Sequence, residues 1–297
     1  MIDLEEITTK DGTISLKSTK FDESFHCHAG ALKETQTKFI NPSLIERYKN
    51  KSIRVLDVCF GLGYNSALLF NKVISQSTKI DWFALEIDKK PLNYCLRNKS
   101  YRGLWDRKVI KIFESLRDSN YYSDDSFNCK IIWGDARKGI AEIPEDKKID
   151  LIFLDGFSPP KCPEIWTLDF LHKLSMRMDP EGYLITYCSA AAVRKSLINL
   201  GLKIFNIKPS IQAKNIWSNG TLATFNGERN NQFIEKLSEM EKEHLETKAS
   251  IPYRDQNNNS FSEEIIRRRR QEQFSSKLLS TSYWRKKWGM TKSTFTS

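Results

Sequence analysis

Residues 149–166 of the chain read IDLIFLDGFSPPKCPEIW, and this stretch decides how the fold is interpreted. Its first six residues, Ile149 to Leu154, are apolar except for Asp150, and turn-forming residues follow them. A short apolar run that ends in turn residues is typical of a buried strand in a parallel sheet. Asp155 is therefore predicted to stand at the carboxyl end of that strand, the edge at which open α/β sheets bind their ligands.

Similar apolar runs alternate with helix-like runs from Ile53 to about Phe225. Such repetition predicts an α/β fold of three layers, with a mostly parallel sheet covered by helices on both faces. The last two runs are predicted to close the sheet as an antiparallel pair. The seven predicted strands cover residues 53–60, 80–87, 129–133, 150–154, 183–188, 203–208 and 221–225.

Three parts are predicted along the chain: a β-hairpin leader at residues 1–50, an α/β domain at 51–227 and a charged extension at 228–297. Asp11-Gly12 is the hairpin signal in the leader. The sequence Asn41-Pro42-Ser43 is predicted to open a helix before the first strand of the domain.

The extension contains two predicted helices, a charged and solvated one from Glu235 to Thr247 and a second from Glu263 to Leu279. Between them, residues 255–260 read DQNNNS, a composition that predicts a linker.

The net charge is +10, and more than half of it lies at the end of the chain. Nine basic and three acidic residues fall between Phe261 and Ser297, with Tyr283, Trp284 and Trp288 among the cations. Basic side chains interleaved with aromatic rings suit a polyanion whose bases can stack, which indicates RNA or a single strand. The alternative is a disordered, solvated basic end, and composition alone favours neither.

Cysteine placement and the start of the chain favour a cytoplasmic protein. The six cysteines form no CxxC pair, so reduced thiols are expected rather than a zinc site or a redox pair. His26 and His28 would share one face of a strand, but two ligands do not make a metal site. No apolar run approaches the roughly 20 residues that cross a membrane, and the acidic start lacks a signal-peptide layout. Neither a metal nor a membrane is therefore expected as a partner.

The first predicted strand leads from Asp57 into the turn CFGLG at residues 59–63. Gly61 and Gly63 let the backbone approach a ligand at the N-terminus of the next helix. The third glycine of a dinucleotide-binding turn is absent.

Acidic residues also follow the next strands. Glu86 lies 23 residues after the last glycine of the turn, where an acidic side chain can accept both hydroxyls of a ribose. Asp135 follows the third strand, where it can receive the exocyclic amine of an adenine. Together with Asp57 and Asp155, these acids predict a site for an adenosine ligand without a pyrophosphate, namely S-adenosylmethionine. The alternative for each single acid is a helix N-cap, which suits Asp135 before Ala136.

These residues resemble a known family. The core is similar to the class I methyltransferase fold, and more specifically to the methyltransferase part of the tRNA wobble-uridine modification protein that makes 5-methylaminomethyl-2-thiouridine. That family has an acidic residue, then Gly-Phe-Gly-Thr-Gly, a bulky residue and Asn in its first turn; here Asp57 is followed by CFGLGYN at residues 59–65. Its second signature, Asp-Gly-Phe-Ala-Pro-x-Lys-x-Pro-x-x-Trp, matches residues 155–166 with Ser158 in place of Ala. Cys59 replaces the first glycine of the turn.

The resemblance covers roughly residues 20–225 and implies a stand-alone methyltransferase, without the FAD-dependent oxidase domain of bifunctional members. It implies methyl transfer from S-adenosylmethionine to the 5-aminomethyl group of the wobble uridine of a tRNA, with no metal and no FAD. The oligomeric state stays open. The expected donor-binding residues are Asp57, Gly61, Gly63, Asn65, Glu86, Asp88, Asp135 and Ala136.

Three residues are expected to act on the substrate side. Asp155 is expected to orient the amine and accept its proton, directly or through water, and its alternative role is to hold the methionine ammonium of the donor. Phe157 is expected to wall the pocket and stack on the uracil, with ordinary packing as the alternative. The expectation that Glu34 faces the pocket rests on the family resemblance alone. The basic tail is expected to hold the tRNA through its phosphates.

Three other functions stay open on the sequence. A small-molecule methyltransferase or aminopropyltransferase shares the fold, but polyamine-forming enzymes expect a more glycine-rich first turn. A dinucleotide-dependent oxidoreductase is disfavoured by the missing third glycine and by Asp135. One feature favours a catalytically inactive RNA-binding adaptor, namely Cys59 in place of the first glycine of the turn.

Overall fold

The computed structural model describes residues 4–209, 218–227 and 230–290, which form two β-sheets and the helices around them. A small antiparallel sheet near the N-terminus contains β1 (Leu4–Thr8), β2 (Ile14–Ser18) and β3 (Glu23–Ser24). The central sheet contains nine strands: β4 (Ser52–Val58), β5 (Lys79–Glu86), β6 (Tyr121–Ser123), β7 (Phe127–Trp133), β8 (Ile149–Leu154), β9 (Met178–Thr186), β10 (Lys203–Ile207), β11 (Thr221–Thr224) and β12 (Ile234–Glu235).

The strand order of the central sheet is β12-β10-β11-β9-β8-β4-β5-β7-β6. The five strands from β9 to β7 run parallel, whereas β11, β10, β12 and β6 join antiparallel. This order confirms the mostly parallel α/β sheet and the antiparallel pair that closes it. The described residues form nine strands in this sheet rather than the seven predicted, and the two additional ones are the short edge strands β6 and β12. They were not predicted because runs of two or three residues leave no periodic signal in a sequence.

Helices cover both faces of the sheet, and β4 shows why its sequence is apolar throughout. Val55 belongs to a core cluster with Leu69 and Phe113, whereas its neighbour Leu56 belongs to a second cluster with Leu171. Successive side chains of a strand point to opposite faces, so a strand buried on both faces needs an unbroken apolar run. The helices are α1 (Ala31–Thr35), α2 (Asn41–Ser43), α3 (Tyr64–Ser75), α4 (Lys90–Arg97), α5 (Lys99–Arg102), α6 (Arg107–Ser119), α7 (Ala136–Gly139), α8 (Leu168–Arg177), α9 (Ala191–Asn199), α10 (Glu239–His244), α11 (Ser262–Ser275) and α12 (Thr281–Lys287).

The leader begins with the predicted hairpin, since β1 and β2 pair antiparallel on either side of Gly12. The expectation that residues 41–43 open a helix is wrong. Helical structure begins with α1, continues through a π-helical turn at residues 36–40 into α2, and resumes after Leu44 as a 3₁₀ helix at Ile45–Tyr48. Leu44 has a φ of 50°, in the left-handed region that commonly follows the last residue of a helix.

The two histidines of the leader do not share a strand face, because β3 ends at Ser24. His26 packs edge-on against Tyr64 with 4.9 Å between ring centroids, and its Nδ1 lies 2.9 Å from the Ser15 hydroxyl. Burial lowers the pKa of His26 to about 4, so this histidine is a neutral packing residue.

The extension packs against the domain. Ile265 of α11 is fully buried, and Tyr253 and Leu245 join the same core cluster as Leu171 of α8. The segment predicted as a linker, residues 255–260, begins with a fully buried aspartate and is held to the domain by hydrogen bonds described below. The division at residues 50 and 227 stays a prediction.

The charged helix predicted in the extension is shorter than expected and is not solvated on all sides. Its carboxylate Glu241 accepts a hydrogen bond of 2.8 Å from Arg194 of α9, and the two side chains are 2% and 1% exposed. Asn206 donates a further bond of 2.6 Å to the same carboxylate. A buried ion pair leaves no trace in an apolar pattern, so this contact could not be predicted from the sequence. Within the described residues, no helix combines the length and apolar character needed to cross a membrane.

Candidate active site

The four strand-end acids lie at one edge of the sheet. The strands β7, β5, β4 and β8 are consecutive neighbours and run parallel, so the residues at their carboxyl ends share that edge. The order along the edge is Asp135, Glu86, Asp57 and Asp155. The structure thus brings together the acids that the sequence placed in separate turns.

The turn after β4 is tied to the neighbouring strand. The backbone N–H of Gly61 donates to Glu86 Oε2 at 2.7 Å, and the backbone N–H of Cys59 donates to the Leu85 carbonyl at 2.8 Å. Cys59, Gly61 and Gly63 all have positive φ, at 67°, 57° and 81°. Glycine adopts this left-handed region freely, whereas a cysteine pays a steric cost of roughly 1–2 kcal/mol there.

Glu86 organises the turn after β4 through three backbone hydrogen bonds. Its Oε1 accepts the backbone N–H groups of Ile87 at 2.7 Å and Asp88 at 2.9 Å, in addition to the Gly61 bond on Oε2. The side chain is 7% exposed, and burial raises its pKa. Asp88 accepts the backbone N–H of Lys90, the first residue of α4, at 2.9 Å.

Asp57 is buried beneath the turn with one oxygen lacking a protein partner. Its Oδ2 accepts a bond of 2.6 Å from the Ser66 hydroxyl, which in turn accepts one from the Trp82 indole at 2.8 Å. Asp57 Oδ1 is buried without a hydrogen-bond partner. Burial raises the pKa of Asp57 to about 7. A buried oxygen without a partner is costly in a folded protein, so it favours a ligand that donates a hydrogen bond there.

Asp135 is both a helix cap and half of an ion pair. Its Oδ1 accepts the backbone N–H of Arg137 at 2.9 Å at the start of α7, whose first residue is the buried Ala136. The Arg137 guanidinium donates to both Asp135 oxygens, with the shortest distance 2.6 Å. Side-chain and backbone hydrogen bonds from Arg137 lower the pKa of Asp135, so it is an ionised acceptor. The N-cap alternative is thus realised, and 30% of the side chain stays exposed for a further contact.

Asp155 stands at the end of β8 as the sequence predicted. Its Oδ2 accepts a bond of 2.6 Å from the Asn65 amide, and Asn65 Oδ1 accepts one of 2.9 Å from the buried Thr35 hydroxyl. Asn65, expected to bind the donor, therefore orients Asp155. Burial raises the pKa of Asp155 to about 8, and the nearby charge of Glu34 adds to this effect. Without a cationic ligand, the protonated form predominates at neutral pH.

Glu34 lies close enough to Asp155 for its charge to act on that carboxyl group, and its expected role in the pocket stays a prediction. Its Oε1 forms an ion pair of 2.6 Å with Lys38, and its Oε2 accepts the backbone N–H of Cys27 at 2.7 Å. The charges of Lys38 and Asp155 interact, and Lys38 Nζ lies 5.8 Å from the ring centroid of Tyr187. Lys38 thus balances the negative charge that Glu34 brings to the site.

Phe157 belongs to an aromatic cluster between the two sheets. Its ring stacks on Phe21 at 4.6 Å between centroids and meets Phe25 edge-on at 4.9 Å. The backbone N–H of Ser158 donates to Glu23 Oε2 at 2.7 Å, which fixes the loop to β3. The packing alternative for Phe157 is realised on the Phe21 face, and its expected role as a wall of the pocket stays a prediction.

Sequence reasoning missed Lys38, Thr35 and Arg137. Lys38 follows Glu34 by four residues, a spacing that places both on one side of a helix. The helix there was predicted to begin only at residue 41, so the spacing went unused. Thr35 and Arg137 act through other side chains, which a sequence does not reveal.

No cluster of three or more His, Cys, Asp or Glu side chains that could hold a metal ion occurs in the described part of the chain. All six cysteines are free thiols.

Known proteins resemble this chain in sequence and in structure. Residues 100–225 match a family model described as S-adenosyl-L-methionine-dependent methyltransferase. An uncharacterised protein from Methanocaldococcus jannaschii is 34% identical over 255 residues, covering 84% of this chain and 67% of that protein. The crystal structure of MnmC2 from Aquifex aeolicus is 30% identical with a TM-score of 0.78, covering 93% of this chain and 87% of that one.

A bifunctional protein is also similar. The tRNA 5-methylaminomethyl-2-thiouridine biosynthesis bifunctional protein MnmC of Leptospira interrogans is 28% identical over 200 residues, which cover 63% of this chain and 31% of that protein. The chain therefore spans about a third of the length of this bifunctional relative.

The parallel sheet, the glycine turn and the row of strand-end acids define an S-adenosylmethionine-dependent methyltransferase of the class I fold. Within that class, the chain belongs to the family of MnmC-like methyltransferase domains. This membership selects the methyltransferase interpretation over the dinucleotide-dependent oxidoreductase.

The site fits the methyl donor in charge and in hydrogen bonding. The site offers three hydrogen-bond acceptors: the unpartnered Asp57 Oδ1, the Glu86 carboxylate and the exposed part of Asp135. S-adenosylmethionine has matching hydrogen-bond donors in its ammonium group, its two ribose hydroxyls and its adenine amine.

Proposed function

We propose that this protein methylates the primary amine of a 5-aminomethyl group on the wobble uridine of a tRNA. The observation that carries this proposal is Asp155, a partly buried acid with a pKa of about 8, held by Asn65 at the edge where the donor acids meet. An amine nucleophile must lose a proton in the reaction, and an acceptor with a pKa near neutrality suits that task once the cationic donor is bound and favours the ionised form of Asp155. The MnmC-type relatives are named for the same modification, which supports the choice of substrate.

The donor would be held by Asp57, Glu86, Asp88, Asp135 and Ala136. When bound, S-adenosylmethionine supplies an electrophilic methyl group on a sulfonium. The residues of the chain then act mainly by positioning, which can contribute about 7–11 kcal/mol to a bimolecular reaction. The backbone bonds that fix the glycine turn to Glu86 preorganise this half of the site.

Asp155 acts on the substrate side. The Asn65 amide occupies Oδ2, so Oδ1 is the oxygen assigned to accept the proton of the amine. Asn65 is itself fixed by Thr35, which keeps the carboxyl group in one orientation. The other role for Asp155, holding the methionine ammonium, predicts a different kinetic signature: replacing Asp155 by Asn would then weaken donor binding rather than slow transfer.

The aromatic cluster suits a base. Phe157, two residues after Asp155, forms an apolar cluster with Phe21 and Phe25, and single-stranded RNA bases are commonly held against aromatic side chains.

The extension suits the phosphates of the tRNA. Arg267 and Arg270 of α11 are exposed, and so is the neighbouring ring of Phe274, at 89%. A cavity of about 250 Å³ beside them is lined by Arg254, Arg268 and Arg269, with Glu272 as its only acidic neighbour among the lining residues. The surface thus combines cations with an exposed ring, as proteins that bind RNA strands do. Lys292 of the basic tail lies outside the described residues.

The function is tested by nucleoside mass spectrometry of tRNA from cells that lack this protein. The expected result is accumulation of the unmethylated 5-aminomethyl nucleoside, and purified protein with S-adenosylmethionine should convert it in vitro. An unchanged wobble uridine would refute the substrate. Failure of the purified protein to bind the donor would instead favour the inactive adaptor.

The RNA contact has its own test. Replacing Arg267 and Arg270 by Ala should weaken tRNA binding uniformly and reduce the slope of log affinity against log salt by about 1.4–2, because two phosphate contacts are lost. The matched control replaces Lys51 and Lys79 by Ala, which are exposed at the opposite edge of the sheet. Equal effects of both double variants would contradict a contact on α11.

A further inference from the structure

The C-terminal extension reaches back to the acid assigned to the adenine. Arg137 Nη1 donates to Asp255 Oδ2 at 2.7 Å and to the carbonyl of Ser260 at 2.8 Å, while its other nitrogens hold Asp135. The guanidinium is 10% exposed and Asp255 is fully buried. One arginine therefore joins the donor site to a segment more than a hundred residues further along the chain.

Asp255 is fixed on every side. Its Oδ1 accepts the backbone N–H of Ser260 at 3.1 Å and of Asn259 at 3.3 Å, and its own backbone N–H donates to Asp169 at 2.6 Å. The segment thus forms a closed loop around one carboxylate, anchored on α8. Such a loop holds Arg137 in one rotamer, and Arg137 in turn holds Asp135.

The charge of the cluster also favours recognition of an amine. Arg137 alone would neutralise Asp135 and draw its lone pairs toward the guanidinium. Because Asp255 shares the same guanidinium, the three side chains carry a net charge of −1, and Asp135 remains a strong acceptor. Asp135 keeps 30% of its surface exposed at the edge of the sheet.

We propose that Asp255 is a positioning residue for the adenine end of the methyl donor, acting through Arg137 on Asp135. This inference rests on the proposed assignment of Asp135 to the adenine amine. It gives the extension a role in donor recognition, separate from any contact with tRNA.

The substitution Asp255→Asn tests the proposal. Both oxygens of Asp255 face N–H donors, so either orientation of the amide sets its NH₂ group against a donor. The readout is binding of S-adenosylhomocysteine and of S-inosylhomocysteine, which has an oxo group in place of the adenine amine, by isothermal titration calorimetry without tRNA. The wild type should prefer the adenine ligand by about tenfold or more, because a site that accepts a hydrogen bond rejects the analogue lacking the donor. Asp255→Asn should reduce that preference by about three- to tenfold, with unchanged affinity for tRNA.

The matched control is Glu241→Gln, which breaks another buried arginine–carboxylate pair between the extension and the domain. It should lower stability and leave the purine preference unchanged. If Asp255→Asn does not fold, Arg137→Lys keeps the charge but loses the bridge, and it should show the same reduced preference.

Three results would overturn the proposal: a wild type without purine preference, an Asp255→Asn variant with the wild-type preference, or an equal loss of preference in the Glu241→Gln control. None of these results bears on the tRNA product, so failure here is distinguishable from failure of the proposed substrate.

Discussion

The substitution Asp155→Asn should separate the stability of this protein from its activity. Asp155 has a pKa of about 8 in the folded chain against 3.8 as the ordinary value. A carboxyl group with a raised folded pKa stabilises the fold while it is protonated, and this contribution is lost as the pH rises from the unfolded to the folded value. The wild type should therefore become less stable between pH 4 and pH 8, whereas an amide at this position does not titrate.

The size of the effect follows from the pKa shift. Between pH 5.5 and pH 8 the group spans about 2.5 units, each equivalent to about 1.36 kcal/mol, which sets an upper limit of about 3 kcal/mol. The side chain is partly exposed, and solvent relaxation reduces this figure to about 1–2 kcal/mol. Asn keeps an oxygen for the Asn65 amide, so the fold should survive the change.

The assay is urea denaturation of both proteins without donor at pH 5.5 and pH 9. From pH 5.5 to pH 9, the free energy of unfolding of the variant should rise by about 1–2 kcal/mol relative to that of the wild type. Asp57 and Glu34 titrate in both proteins, so their contributions cancel to first order. The control is Asp118→Asn, which replaces an exposed carboxylate paired with Arg117. The difference in unfolding free energy between this variant and the wild type should be the same at both pH values.

Methyl transfer by the same variant completes the test. Loss of a general base typically slows a reaction by about 10²–10⁴-fold, and donor affinity should change little if Asp155 acts on the amine. A stability difference independent of pH would contradict the burial argument. Normal turnover would remove Asp155 from the reaction, and a large loss of donor affinity with normal transfer would assign it to the methionine ammonium.

Four further changes have defined outcomes in urea denaturation. Cys59→Gly should alter the free energy of unfolding by less than about 1 kcal/mol, because relief of the positive φ offsets the lost side-chain packing. Cys59→Val should lower the free energy of unfolding by more than about 2 kcal/mol, since β-branched residues fit that backbone region poorly. Equal effects of the two substitutions would contradict this explanation. Glu241→Gln should cost about 3–5 kcal/mol, because it leaves a buried guanidinium short of its charge partner, and a cost below 1 kcal/mol would show that the pair is hydrated. Deletion of residues 261–297 should destabilise the whole domain rather than weaken tRNA binding alone, because Ile265 and Trp284 are buried; a truncated protein of wild-type stability would refute this.

One feature of the site could be read from local sequence, and a second was placed by the family resemblance. The strand-end acids were found because each follows an apolar run, and parallel strands bring their carboxyl ends to one edge. Glu34 was placed by resemblance, but its partner Lys38 was missed because the helix carrying both was predicted to start at residue 41. A π-helical turn continues that helix, and such turns have no clear sequence signal.

The sequence by itself determined the order of most strands and helices and the edge of the sheet that carries the four acids. These follow from apolar periodicity and from turn residues, which act over a few neighbours in the chain. The class of donor followed from the acids at that edge together with the family resemblance. Only the tertiary structure decided that the extension packs on the domain, that Asn65 holds Asp155, and that Arg137 links Asp135 to Asp255. Such contacts join residues up to 118 positions apart, and they depend on burial and charge compensation that no local pattern records.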